Sequence, residues 1–149
     1  MKIAIGSDHA GFEAKNQIAV YLKELGHEVL DFGTYSTDSC DYPEFGYKVA
    51  KAVQTGECER GVVICSTGIG ISIAANKVKG IRCGLCTNTF MAQKTRCHND
   101  ANVLAMGASV TSVDEMKRIV DIFFTTDFEG GRHARRVGKI TMIENGEFY

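Results

Sequence analysis

The stretch Gly61-Val-Val-Ile-Cys-Ser-Thr-Gly-Ile-Gly-Ile-Ser72 decides how this 149-residue chain is read. Val62, Val63 and Ile64 are a β-branched run of the kind found in strands buried on both faces. Cys65 follows at the strand's carboxyl end, then Ser66, Thr67, Gly68 and Gly70, and Ile71, Ile73, Ala74 and Ala75 open a helix. A strand–glycine loop–helix junction aims backbone N–H groups and a helix dipole at one spot, which suits an anion. A thiol in that field is drawn toward its thiolate. The stretch therefore offers a base or nucleophile beside an oxyanion site.

Outward from this junction the same pattern repeats. Lys2 to Ser7 reads as a first strand, with Asp8-His9-Ala10-Gly11 as its exit loop. Ala14, Ile18, Tyr21, Leu22 and Leu25 recur at helical spacing, and Gly26 is a natural stop. Glu28 to Phe32 is a second strand, and Pro43 opens a helix lined by Phe45, Val49 and Val53. After the third strand, Gly61 to Cys65, a helix runs from Ile69 to Val78, and Ile81 to Thr87 is a fourth strand. Asn88 or Thr89 caps the next helix, and Val103 to Met106 is a fifth strand. Ser112-x-x-Glu115 is a capping box ahead of Met116, Ile119, Val120 and Phe123. Gly130-Gly131 breaks the chain before a basic last helix, Arg132 to about Asn145. Strands alternating with helices predict an α/β chain, one domain over 1–149, with a five-stranded parallel sheet covered by helices on both faces. Ligands of such sheets bind beyond the carboxyl ends of the strands. That rule expects Asp8, His9, Cys65 to Gly70, His98 and Asn99 in one region.

Composition narrows the function. A net charge of −1 argues against nucleic acid or a membrane surface as partner. No apolar run reaches transmembrane length, and strand-like sequence from Lys2 leaves no room for a signal peptide, so a cytoplasmic protein is expected. In that compartment the six cysteines (40, 58, 65, 83, 86, 97) read as free thiols. Cys83-Gly-Leu-Cys86 has redox or zinc spacing, but residues three apart on a strand point to opposite faces. Nucleotide fingerprints fail: Ile73 stands where G-x-G-x-x-G needs glycine, and Phe12-Glu13 replaces the Lys-Ser/Thr of a P-loop. Arg132, His133, Arg135 and Arg136 form a basic cluster suited to phosphate, or simply to a solvated helix face. Taken singly, His9 and His98 read as structural, and Cys65 is balanced between a small core residue and a reactive thiol. Three classes stay open on these grounds: an isomerase or hydrolase using Cys65, an anion-binding module, and a thiol redox protein.

The motifs taken together carry more. Gly6-Ser-Asp-His-Ala-Gly11, Asp41-Tyr-Pro43, Ile64-Cys-Ser-Thr-Gly-Ile-Gly-Ile-Ser-Ile-Ala-Ala-Asn76, His98-Asn-Asp-Ala-Asn102 and Gly130-Gly-Arg-His133 with Arg136-Val137 span nearly the whole chain. In order and spacing they resemble the type B ribose-5-phosphate isomerases, a family that includes the galactose-6-phosphate isomerase subunits. The resemblance implies a Rossmann-like three-layer α/β/α fold with an extended C-terminal helix. It also implies a sugar-phosphate isomerase that uses no cofactor and no metal, interconverting D-ribose 5-phosphate and D-ribulose 5-phosphate through a cis-enediolate. Cys65 would be the base, Thr67 would assist proton transfer, and amides from Ser66 through Gly68 to Gly70 would form the anion hole. His98, with Asp8, would open the sugar ring. His9, Tyr42 and Asn99 would bind hydroxyls or phosphate, and Arg132 and Arg136, four apart on one helical face, would hold the phosphate. The family is dimeric, often pairing dimers into tetramers, and the resemblance places His98, Asn99 and the two arginines in the neighbouring subunit's site.

Two positions depart from the family pattern. Ser66 stands where glycine is common, and Ser109 stands where many members carry an arginine for the phosphate. Loss of one charge-assisted contact is worth about 1.5–3 kcal/mol. The departure raises allose 6-phosphate, galactose 6-phosphate and unphosphorylated allose as alternative substrates.

Overall fold

The computed structural model describes residues 1–148. Its elements are β1 (Lys2–Ser7), α1 (Phe12–Glu24), β2 (Glu28–Asp31), α2 (Tyr42–Gln54), β3 (Arg60–Cys65), α3 (Ile69–Asn76), β4 (Cys83–Leu85), α4 (Thr89–Cys97), β5 (Val103–Gly107), α5 (Val113–Thr125) and α6 (Arg132–Glu144). The five strands form one parallel sheet in the order β2-β1-β3-β5-β4. The alternation read from the sequence thus gives the expected α/β architecture.

The apolar residues of β1, β3 and β5 are buried because the sheet is covered on both sides. Ile3, Ile5, Val62, Ile64, Leu104 and Met106 pack under α1 and α5. Ala4, Val63, Val103 and Ala105 pack under α2 and α3. The alternation along each strand sends neighbours to opposite layers. Lys15, fully buried in α1, is held by Asp31 of β2 at 2.6 Å, an ion pair that ties helix to edge strand. In α6 only His133 is buried, and the last turn touches the body of the fold through Glu144, which accepts the Gly80 N–H at 2.8 Å.

Several boundaries differ from the sequence reading, each for a local reason. β4 covers three residues rather than Ile81 to Thr87. It is an edge strand, and Asn76 takes the place of a further neighbour. The Asn76 amide donates to the Cys83 carbonyl at 3.0 Å and accepts the Cys83 N–H at 2.7 Å. That role also ends α3 at Asn76, before the expected Val78. Asn88, not Thr89, caps α4 by accepting the Met91 N–H at 2.9 Å. Ser112 caps α5 by accepting the Glu115 N–H. Glu115 does not complete the expected box, because its carboxylate accepts from Arg118 at 2.9 Å.

Cys83 lies with the α2–α3 core and Cys86 with the α1–α5 core, on opposite faces as their spacing predicts. Burial pushes the Cys86 thiol up to about 12 and raises Cys83 as well, so neither forms thiolate readily. Mild oxidation of the native protein should leave both thiols free, as read by alkylation in denaturant and peptide mass. A Cys83–Cys86 disulfide formed under native conditions would contradict this placement.

Candidate active site

The chain order reverses between β1 and β3, so the loops after these strands face each other. They touch closely. A Cβ on Gly11 would stand 2.6 Å from the Ile64 carbonyl, so only glycine lets the Asp8 loop sit against the end of β3. Buried Asp8 accepts the Gly11 N–H at 3.1 Å, which closes that loop. His9 accepts the Cys40 N–H on Nδ1 at 3.2 Å. This bond leaves the His9 proton on Nε2, free to donate.

Cys65 ends β3 and is 4% exposed. Its Sγ accepts the Gly68 N–H at 3.1 Å. Gly68 has φ +81°, the left-handed conformation that turns the chain from strand into α3. The Ile69 N–H donates to Thr67 Oγ1 at 3.2 Å. Two amides of the expected anion hole therefore serve the side chains of Cys65 and Thr67. β5 supports the loop from the other side. The Ala108 and Ser109 N–H groups donate to the Cys65 and Ser66 carbonyls at 2.9 and 2.8 Å. Ser66 and Ser109 also share a hydroxyl–hydroxyl bond of 2.9 Å. A Cβ on Gly107 would lie 2.5 Å from the Thr67 backbone. The half-exposed Tyr42 ring packs against Gly70, where a Cβ would meet it at 2.6 Å. Asp8, His9, Tyr42 and residues 65–70 thus form one cluster.

His98 and Asn99 are not in it, contrary to the expectation of a single region. The helix after β4 runs back along the sheet and delivers them to the strands' amino ends. Gly61, Val103 and Cys83 share one register row, and Arg82, next to that row, donates to the Asn99 carbonyl at 2.9 Å. Cys65 lies four residues further along β3, about 13 Å at the usual rise.

At that far end His98 caps α4 and stacks on His133, with ring centroids 4.0 Å apart. The buried Arg96 guanidinium fixes the surroundings, donating to Asp100 at 2.9 Å, the Ala101 carbonyl at 2.7 Å and the Thr126 carbonyl. Arg132 and Arg136 are exposed in the first turns of α6, and among the described residues no carboxylate pairs with either. Sequence reasoning missed Glu129, which lies 3.9 Å from His98 and 3.4 Å from His133. No local pattern marks it, because the contact joins residues 31 apart or lies across the Gly130-Gly131 break.

Residues 3–140 match the Ribose/Galactose Isomerase family model. Ribose-5-phosphate isomerase B of Escherichia coli is 50% identical over 143 residues, covering 96% of each chain. The structure of ribose-5-phosphate isomerase B from Clostridium thermocellum superposes with a TM-score of 0.97 at 59% identity, covering 98% of this chain and 99% of that one. The enzyme of Mycoplasma genitalium, solved with bound ribulose-5-phosphate, gives 0.92 at 40% identity over 97% and 96% of the two chains. This chain belongs to the ribose/galactose isomerase family.

Proposed function

We propose that the protein interconverts D-ribose 5-phosphate and D-ribulose 5-phosphate, with Cys65 as the proton-transfer base. One observation carries the assignment of the base. In a chain of this family, the Cys65 thiol sits at the end of a buried strand with the Gly68 N–H donated to its sulfur. Isomerisation needs a base on one face of C1 and C2 and a home for negative charge on the oxygens. Cys65 thiolate takes the proton from C2, and the electron pair moves into an enediolate. Thr67 and amides of the 66–70 loop hold the oxygens while a proton passes from the C2 hydroxyl toward O1. Cys65 then returns its proton to C1. No electron leaves the sugar, so no redox partner is required.

Asp8 and His9 bind the sugar from the β1 loop, with Tyr42 covering Gly70. His98 opens the ring, Asn99 binds beside it, and Arg132 and Arg136 hold the phosphate. These four lie at the opposite end of the sheet from Cys65 in one chain. We therefore read the site as shared between two copies of the chain, each supplying one half, in a cytoplasmic homodimer. No helix among the described residues is long and apolar enough to cross a membrane, which fits that setting.

Three outcomes test the reading. Cys65→Ala should lower kcat on ribose 5-phosphate by at least about 10³-fold while the fold holds by circular dichroism, since the base has no substitute. Near-normal turnover in that variant would remove Cys65 from the mechanism. Gly107→Ala should displace the Thr67 backbone, lowering kcat by about 10²-fold and also lowering stability, because the added methyl group meets backbone and not a movable side chain. A normal kcat there would mean that loop position is not critical. Finally, inactive Cys65→Ala and His98→Ala proteins, mixed after reversible dissociation, should regain about a quarter of wild-type activity, because half the dimers then hold one intact shared site. No recovery would place both residues in one chain's site or assign His98 elsewhere.

A further inference from the structure

The surroundings of His98 contain more than ring opening needs. The Glu129 N–H donates to the Cys97 carbonyl at 3.0 Å, which pins the segment before α6 to the end of α4. This brings together a thiol, an imidazole and a carboxylate. The ligand atoms of Cys97, His98 and Glu129 all lie within 4.8 Å of one another. Behind them, His133 is 5% exposed, and its Nε2 has no hydrogen-bond partner while standing 3.4 Å from Glu129 Oε2. That unpaired nitrogen is in reach of the Glu129 carboxylate and is the partner a reoriented Glu129 would take up.

We propose that Cys97, His98 and Glu129 bind a divalent cation of the zinc class, and that the bound ion inhibits the enzyme by occupying His98. Thiolate, imidazole and carboxylate together suit zinc or cobalt, and not magnesium or calcium, which take oxygen ligands. Three protein ligands leave a fourth tetrahedral position to water. His133 is not a ligand. Its ring lies nearly parallel to that of His98, at 9°, so the two lone pairs run side by side and do not converge on one ion. It instead supports Glu129 from behind, as outer-shell groups orient a metal-bound carboxylate. Tetrahedral ligands stand about 3.3–3.7 Å apart, so the cluster closes by roughly 1 Å around the ion, and the half-exposed Glu129 side chain supplies that movement. On binding, the Cys97 thiol releases one proton to solvent and a sulfur–metal bond forms, with no change of oxidation state. Arg132 and Arg136 flank His133 in the first turns of α6 and oppose a cation nearby. The two anionic ligands offset them, which fits an ion that binds and leaves.

The inhibitory part rests on the reading of His98 as the ring-opening group, whereas the binding part does not. The test begins with the full-length protein, stripped by chelator and titrated with cobalt(II). Thiolate-to-cobalt charge-transfer absorption should saturate at one equivalent, persist in Cys65→Ala and Cys40→Ala, and vanish in Cys97→Ala. Glu129→Gln, an exposed position that should fold normally, should weaken binding at least about tenfold. Absence of the absorption, or its loss in Cys65→Ala with retention in Cys97→Ala, overturns the site. Zinc should then inhibit ribose 5-phosphate turnover in the wild type, reversibly by chelator. Cys97→Ala, with wild-type activity in the absence of metal, should resist it. Cobalt bound through Cys97 without zinc inhibition overturns the inhibitory role, and an inactive stripped enzyme that still binds cobalt overturns the isomerase reading alone.

Discussion

A helix that follows a strand of a parallel sheet must carry the chain back to where the strand began. This constraint divides the functional residues of the protein into two groups. Loops that directly leave β1 and β3 gather at one end of the sheet, with Cys65 between them. His98, one helix later, lands at the other end, and the glycine pair at 130–131 brings α6 and its arginines to the same place. Neither group suffices for sugar-phosphate chemistry. On the proposed reading the first has a base and an anion hole but, among the described residues, no unpaired cation, and the second has cations and an imidazole but no base for carbon. On the proposed reading, a second copy of the chain resolves the division. The exposure of nearly all of α6, including Ile140 and Ile143, is consistent with a helix whose partner lies outside its own subunit.

At the Cys65 end, precision comes from backbone contact more than from side-chain bonds. The Asp8 loop approaches Ile64 through Gly11, and β5 approaches Thr67 through Gly107. Both contacts leave no space for even a methyl group, so the loop is confined from two sides. The bond from Gly68 to the Cys65 sulfur then sets where the thiol points. Such confinement matters for proton transfer, where about 1 Å of misplacement costs orders of magnitude in rate. It also places the cost of order in the folding of the core, before any substrate arrives.

Much of this was legible in the sequence, and the failures have physical causes. Strands buried on both faces write their own signature, so β1, β3 and β5 were plain from Lys2 to Ser7, Gly61 to Cys65 and Val103 to Met106. β4 was overextended because the limit on it is a side chain, Asn76, that mimics a neighbouring strand. The joint placement of His98 with Cys65 failed because the rule about carboxyl ends was applied across an intervening helix, which reverses direction. Buried Lys15 was invisible because its partner, Asp31, lies on another element. The cluster of Cys97, Glu129 and His133 was likewise hidden, since it forms only when the Glu129 N–H docks on the end of α4. The motif roles themselves came from family resemblance, which transfers chemistry that no periodicity encodes.

Ser109 bears on how the two ends share their work. Where an arginine would have put a cation beside the base loop, this chain puts a hydroxyl bonded to Ser66. The loop gains a further brace, and the Cys65 end gives up a charge worth about 1.5–3 kcal/mol to a phosphate. On the proposed reading the phosphate's charge then falls on Arg132 and Arg136, at the end of the sheet remote from Cys65. Affinity for a phosphorylated sugar thus becomes a property of the shared site and not of either half. On the proposed reading, a cation held by Cys97, His98 and Glu129 would meet the ring-opening group and the phosphate-binding arginines at once, while leaving the base and its glycine loop untouched.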